Sequence, residues 1–302
     1  HAGNMSLGML IIDESGQAVP QSALGAIYRT RRAVVVGDPL QVEPVVTIPK
    51  VLIDILADST CVANEYKVIE NSAQTFADNI NEFNGMIGER QVGCPLVVHR
   101  RCIEPMFSIS NLISYDNRMF NKTNKKEEYL KPENPFLIKK SGWINVEGVE
   151  NGGKDHFVKN QAERVCQLME DAVHIYSDLF ETDDKIFIIT PFRTVAESMR
   201  KFIISYFSAK GYDKEILSKW TKNCVGTVHT FQGKDANEVL LVLGCSNKSA
   251  GAMNWVVKKA NILNVACTRA KYRIAFIGNI NDWKNRRYFR EFIPKFIDTI
   301  DA

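Results

Sequence analysis

Leu7-Gly8-Met9-Leu10-Ile11-Ile12-Asp13-Glu14-Ser15-Gly16-Gln17-Ala18 is an apolar run that ends in two adjacent carboxylates and a glycine turn. A short apolar run bounded by turn residues reads as a buried strand. Ligands of open α/β sheets gather where such strands end. Working outward, Ala33–Val36, Lys185–Ile189, Val239–Leu243 and Ile274–Ile277 are further candidate buried strands. Between them Ala162, Val165, Cys166, Met169, Ala172, Val173 and Tyr176 recur at helical spacing, as do Met199, Phe202, Ile203 and Tyr206. Alternating short strands and amphipathic helices predict an α/β chain whose parallel sheets carry helices on both faces.

With 302 residues and 45% hydrophobic content, the chain is long enough for one large or two medium domains. The polar stretch Asn121–Asn134, with Pro132 and no apolar periodicity, reads as a connection, which gives expected domains of 1–130 and 131–302. A net charge of +3 is too small to identify a polyanion partner, although Arg29, Arg31 and Arg32, or Lys284, Arg286 and Arg287, cluster locally. Seven cysteines, scattered and never in a C-x-x-C pair, speak against a disulfide framework, a zinc ribbon or an iron–sulfur site. They fit a reducing, cytoplasmic compartment. No apolar stretch reaches the roughly eighteen residues needed to span a bilayer, so no membrane partner is expected.

Chemistry concentrates at strand ends. Asp13 is placed to hold a Mg2+-bound water and Glu14 to polarise the water that attacks a γ-phosphate. The bland alternative for the same pair is a helix N-terminus with its carboxylates against the dipole. A second strand breaks into Gly37-Asp38-Pro39-Leu40-Gln41-Val42-Glu43-Pro44, where Gln41 can hydrogen-bond a γ-phosphate or the attacking water.

These two segments, DESGQA and GDPLQVEP, resemble motifs II and III of superfamily 1 helicases, in the branch of the nonsense-mediated-decay helicase and its bacterial relatives. Val42 stands where that family commonly has leucine. His99-Arg100-Arg101-Cys102-Ile103-Glu104-Pro105 is similar to the family's Tyr-Arg-Met-x-Pro element, which implies that Arg101 reaches the γ-phosphate. Thr190-Pro191-Phe192 resembles motif IV, at a strand end that meets the nucleic-acid backbone. Val225 to Asp235 (VGTVHTFQGKD) resembles motif V, which implies strand contacts near Thr227 and His229 and nucleotide contacts from Gln232, Gly233 and Asp235, the last being Glu in most of the family. Leu263 to Lys271 (LNVACTRAK) matches motif VI, with Arg269 as the arginine finger. The resemblance implies two RecA-like lobes that close on ATP and Mg2+, with Arg101 on the first lobe and Arg269 on the second, and that move along single-stranded nucleic acid, DNA rather than RNA, as a monomer.

Such a motor needs a phosphate-cradling G-x-x-x-x-G-K-[ST] loop. Only twelve residues precede Asp13. The near match Gly148 to Asp155 (GVENGGKD) has a carboxylate where the hydroxyl belongs and reads as a glycine-rich turn before a helix carrying Asn160 and Glu163. The expectation is therefore a fragment with a truncated first lobe and a complete second one, inactive alone. The alternative is a non-unwinding nucleic-acid-binding or scaffold module derived from a helicase.

Overall fold

A computed structural model describes residues 7–63, 66–67, 71–88, 90–123, 136–152, 155–231 and 233–300. The chain forms two compact units, His1–Leu96 and Val97–Ala302. In the first, β1 (Leu7–Ile12) leads through a helix at Pro20–Ile27 to β2 (Thr30–Val35). The strands pair in parallel from Leu7↔Thr30 to Ile12↔Val35. Helices at Lys50–Ser59 and Ala73–Ile80 follow, then the antiparallel hairpin of β3 (Gly85–Ile87) and β4 (Arg90–Val92). Ser72 starts the Ala73–Ile80 helix by accepting from the Thr75 amide at 3.1 Å, which satisfies one of the donors a helix start leaves open.

Both strands expected here form, but they are not buried. Leu7, Met9 and Ile11 are 60%, 58% and 67% exposed. Burial of a parallel strand requires helices over both faces of a broad sheet, and among the described residues this sheet has two strands.

The second unit starts with β5 (Val98–His99), the helix Met106–Ser114 and β6 (Phe120–Asn121), which returns to pair in parallel with β5. Then come β7 (Gly142–Asn145), the hairpin of β8 (Glu150–Gly152) and β9 (Asp155–Val158), a helix at Lys159–Ile175, and β10 (Ile186–Thr190). Helices at Arg193–Ser208 and Lys214–Cys224 lead to β11 (Val225–Thr227), and a turn of 3-10 helix at Val228–Phe231 leads to β12 (Ala236–Val242). The helices Ala250–Val256 and Asn261–Arg269 precede β13 (Ala270–Gly278). The helix Phe289–Phe296 and β14 (Asp298–Thr299) come last.

Six strands make one parallel sheet in the order β11-β10-β12-β13-β7-β14. All five residues of β10 are buried, so both faces are covered, as the α/β reading requires. The Lys159–Ile175 helix buries Ala162, Val165, Cys166, Met169 and Ala172, the face its periodicity predicts. Trp143 of β7 stacks on Phe276 of β13 with ring centroids 5.7 Å apart, and Phe289 meets both rings.

The unit boundary lies at Leu96/Val97, whereas the sequence reading divides the chain at residue 130. Packing explains where the intervening residues go. The apolar face of Met106–Ser114 lies on the Asn261–Arg269 helix, the Ile103 amide donates to the Lys271 carbonyl at 3.2 Å, and the Asn264 side chain bonds both Ser110 and the Tyr115 hydroxyl. Most of the stretch read as a connection, residues 124–135, lies outside the described residues. The near match to a phosphate loop is the β8–β9 hairpin, with Gly153 and Lys154 outside the described residues, and a helix follows it as expected.

Candidate nucleotide and nucleic-acid sites

In the first unit the acidic turn and the Gly37–Pro44 turn are pressed together. A Cβ on Gly16 would lie 2.7 Å from the Asp38 carbonyl oxygen, and one on Gly37 would lie 2.6 Å from the Gly16 nitrogen. Only a hydrogen fits at either place. The Ser15 amide donates to the Val36 carbonyl at 2.9 Å. The buried Ser15 hydroxyl lies 2.8 Å from that same oxygen and 2.6 Å from Gln74 Oε1, so its single proton serves one or the other. Gln74 in turn donates to Asp78, whose Oδ1 also accepts from the Gly93 amide. Arg90 closes the frame through the Pro39 carbonyl and the Thr75 hydroxyl. Ser15, Gln74, Asp78 and Arg90 form a support that the motif reading missed, since three of them lie far along the chain in segments with no motif.

On this frame Asp13 and Glu14 are both exposed at the end of β1. Asp13 Oδ1 accepts the Glu14 amide at 2.8 Å, and Glu14 sits at φ 53°, a left-handed conformation that a residue with a Cβ adopts at a cost of ~1 kcal/mol or more. Gln17 donates to Glu14 Oε2 at 3.1 Å. The Gln41 amide group points back to Asp38 Oδ2 at 3.0 Å. An exposed strand-end aspartate with glutamate beside it fits a hydrated Mg2+ ion. Mg2+ in such a place would neutralise phosphate charge. A G-x-x-x-x-G-K-[ST] cradle does not occur in the sequence.

In the second unit the candidate residues fall at opposite ends of the sheet. Thr190 and Thr227, the last residues of β10 and β11, are register partners at the carboxyl end. Thr190 and Pro191 are buried, Thr227 is half-buried, and His229 is exposed. Thr227 and His229 are therefore open to solvent at this end of the sheet, whereas the Thr190 hydroxyl is not. Gly226 is another close approach, since a Cβ there would lie 2.5 Å from Thr230 Oγ1.

Asp235, Arg269 and Lys271 flank the amino ends of β12 and β13. Asp235 Oδ1 pairs with Lys271 Nζ at 2.7 Å. Arg269 is 1% exposed, and its guanidinium donates to the carbonyls of Phe231 at 3.3 Å and Lys234 at 3.1 Å. Gly233, between those carbonyls, is at φ 72°; Gln232 lies outside the described residues.

Arg101 is half-buried in this same unit as Arg269, whereas the sequence reading sets the two arginines on different lobes. His99 Nε2 accepts the Cys102 amide at 2.9 Å, which leaves the imidazole proton on Nδ1. Burial, reinforced by the Arg101 charge, holds His99 down to about 4. Burial pushes the Cys102 thiol up to about 12, so it is a packed apolar group and not a nucleophile. No helix among the described residues is long and apolar enough to cross a membrane.

A family model described as an AAA domain matches residues 82–281, and another of the same description matches residues 3–48. The chain belongs to this AAA-domain family. Within it, the chain is a superfamily 1 helicase sequence of the nonsense-mediated-decay helicase branch. An ATP-dependent helicase of Methanocaldococcus jannaschii is 24% identical over 299 residues, covering 94% of this chain and 38% of that protein. The probable helicase senataxin of Homo sapiens is 23% identical over 301 residues, 96% of this chain and 10% of its own length. The regulator of nonsense transcripts 1 of Caenorhabditis elegans is 26% identical over 298 residues, 95% and 24% respectively. The chain thus spans 10% to 38% of the length of these relatives. The solved arterivirus nonstructural protein 10 helicase with DNA covers 96% of this chain and 44% of its own, at 12% identity and a TM-score of 0.43, a likeness too low to bear on the argument.

Proposed function

We propose that the chain is part of an ATP-dependent nucleic-acid helicase or translocase, acting on single-stranded nucleic acid, DNA in preference to RNA, as a cytoplasmic monomer. The observation that carries this reading is the division of one parallel sheet between two clusters. Thr190 and Thr227 pair at its carboxyl end, and Asp235, Arg269 and Lys271 gather at its amino end. The Val228–Phe231 turn and the residues after it join the two. That arrangement suits a device in which the state of a nucleotide changes the hold on a strand.

In this reading Asp13 holds Mg2+ through water, Glu14 polarises the attacking water, and Gln41 swings from Asp38 to the γ-phosphate. Arg101 and Arg269 supply positive charge to the transferring phosphoryl group, and Gln232, Gly233 and Asp235 contact the nucleotide. Thr190, Pro191, Thr227 and His229 line the strand path. Functionally, residues 1–130 supply the water-activating residues and 131–302 the strand grip. The 302-residue chain alone, which has no phosphate cradle in its sequence, hydrolyses ATP negligibly.

The test measures ATP hydrolysis by the whole natural protein with and without oligothymidylate and oligouridylate, and by the 302-residue chain in parallel. Stimulation of the whole protein by oligothymidylate above oligouridylate is expected. Strand binding without any stimulated hydrolysis would replace the motor with the scaffold module.

A further inference from the structure

Three of the four tryptophans are in the core: Trp143, Trp220 and Trp283 are 0%, 1% and 0% exposed. The fourth, Trp255 on the helix Ala250–Val256, is 52% exposed. Its ring leans on Phe192 at 35° with centroids 5.8 Å apart, and Phe192, itself 8% exposed, packs on His156 at 4.7 Å. The three rings therefore form a row that starts at the half-buried His156, passes through the buried Phe192 and ends on a half-open indole.

The row stands at a defined place in the fold. Phe192 follows the carboxyl end of β10, and Gly244 and Cys245 follow the carboxyl end of β12. The Cys245 amide donates to the His156 carbonyl at 2.8 Å, which straps β9 across that end. The chain goes from β10 to β11 on one side and then comes back to lay β12 on the other. The gap between β10 and β12 is thus the topological switch point, where open α/β sheets bind their ligands.

The helix that carries Trp255 is flanked by cations. From Val239 to Asn281 the chain carries no carboxylate, and Lys248, Lys258 and Lys259 adjoin that helix, whereas Arg269, Lys271 and Arg273 belong to the amino end of the sheet. Lys248, Lys258 and Lys259 are exposed on either side of the Trp255 helix. Glu150, which reaches Ser249 beside this helix, is buried and holds His156 Nδ1 at 3.1 Å and Ser249 at 2.6 Å. An exposed indole among cations suits a ligand that is flat and apolar in one part and anionic in another.

We propose that Trp255 is a stacking platform for a nucleobase of the bound single strand, with the flanking lysines facing its phosphates. This rests on the strand-binding reading above and adds the residue that meets a base. Stacking on an aromatic ring is tolerant of sequence, since every base has a π-face.

Because the other three indoles are buried, the part of the tryptophan emission of the 302-residue chain that iodide quenches reports on Trp255. Short oligothymidylate is expected to quench the emission and to shield it from iodide, while an abasic deoxyribose-phosphate strand of equal charge should do neither. Trp255→Ala should weaken oligothymidylate binding, read by anisotropy, roughly 5- to 140-fold, the equivalent of ~1–3 kcal/mol. Trp255→Phe should retain most of the affinity, and both variants should keep the parent's thermal midpoint. If oligothymidylate binds with unchanged emission and Trp255→Ala binds as well as the parent, the platform is refuted while strand binding stands. If neither protein binds oligothymidylate, the strand-binding reading falls and the platform with it.

Discussion

The Arg269 guanidinium donates to the Lys234 carbonyl at 3.1 Å and is 1% exposed, so the arginine closes the loop that carries Gly233. The contact gives the side chain a structural partner in this structure. To reach a phosphoryl group it would have to exchange backbone carbonyls for phosphate oxygens.

Arg269→Ala in the whole protein is therefore expected to lower strand-stimulated hydrolysis by roughly 10³–10⁵, about 4–7 kcal/mol, with nucleotide affinity within a few-fold of the parent. Lysine should not rescue, since a point charge lacks the planar fork that spans two acceptors. Steady-state hydrolysis and nucleotide titration on one folded sample separate rate from binding. Turnover near the parent's would leave Arg269 with the loop clasp alone.

Gly37→Ala should damage the acidic turn without touching a charged group. Its Cβ would lie 2.6 Å from the Gly16 nitrogen and 2.8 Å from the Ser15 nitrogen, both backbone atoms that cannot step aside. The expected loss is about 1–3 kcal/mol in denaturant unfolding. Gly25→Ala is the control of opposite sign. Gly25 lies within the Pro20–Ile27 helix with nothing within 4 Å of its would-be Cβ, so alanine should stabilise by roughly 0.5–1 kcal/mol. Equal effects at the two glycines would contradict the close approach.

Glu238, fully buried in β12, gives a pH-dependent prediction. Its carboxylate accepts the Leu137 and Ile138 amides at 2.8 and 2.6 Å and the Tyr176 hydroxyl at 2.7 Å, yet burial pushes it up to about 6. The folded state therefore holds this proton more tightly than the unfolded chain does. Its contribution is greatest below about pH 4.5 and is lost as pH rises through 6, on the order of 2 kcal/mol in all. Glu238→Gln should flatten that window and cost about 1–3 kcal/mol at neutral pH, because an amide NH2 then faces a backbone N–H. His99, held near 4, contributes with the opposite sign but is common to both proteins. The difference between their denaturation curves from pH 4 to 7 isolates Glu238, and a pH-independent difference would refute the assignment.

Strand binding should depend little on base order, because the candidate contacts at Thr227 and His229 suit phosphates, and should fall steeply with salt, because the exposed Lys248, Lys258 and Lys259 supply the charge that phosphates neutralise. On a plot of log affinity against log salt, each phosphate neutralised adds about 0.7 to the slope for a single strand. Titrations of mixed-sequence oligonucleotides at several salt concentrations check both parts. An affinity unchanged by salt would remove the electrostatic grip.

Much of the fold is legible along the chain, for reasons that particular residues make clear. The apolar run Leu7–Ile12 is β1 to the residue, and the spacing of Ala162 through Ala172 gives a helix and its buried face. Periodicity carries no information about distant partners. β7 is four residues long and joins the sheet through Gly142↔Ala275 on one side and Gly142↔Asp298 on the other, each across more than a hundred residues of chain. Glu238 looks like a polar break before Val239 and is instead a buried strand residue whose partners come from residues 137, 138 and 176. The motifs locate Arg101 and Arg269, but their common compact unit depends on packing of Met106–Ser114 against the motif VI helix, which no local pattern encodes.

The two abutting turns also limit how this chain can be changed, by mutation or by design. A methyl group on Gly37 would meet the Gly16 nitrogen and one on Gly16 would meet the Asp38 carbonyl, so neither position accepts a side chain one step at a time. The pair behaves as a single heritable unit. Freedom to vary lies one layer out, in side chains such as Gln41 that hang from the locked backbone by a hydrogen bond to Asp38. A library aimed at altered nucleotide response would hold both glycines fixed and randomise Gln41 and its neighbours.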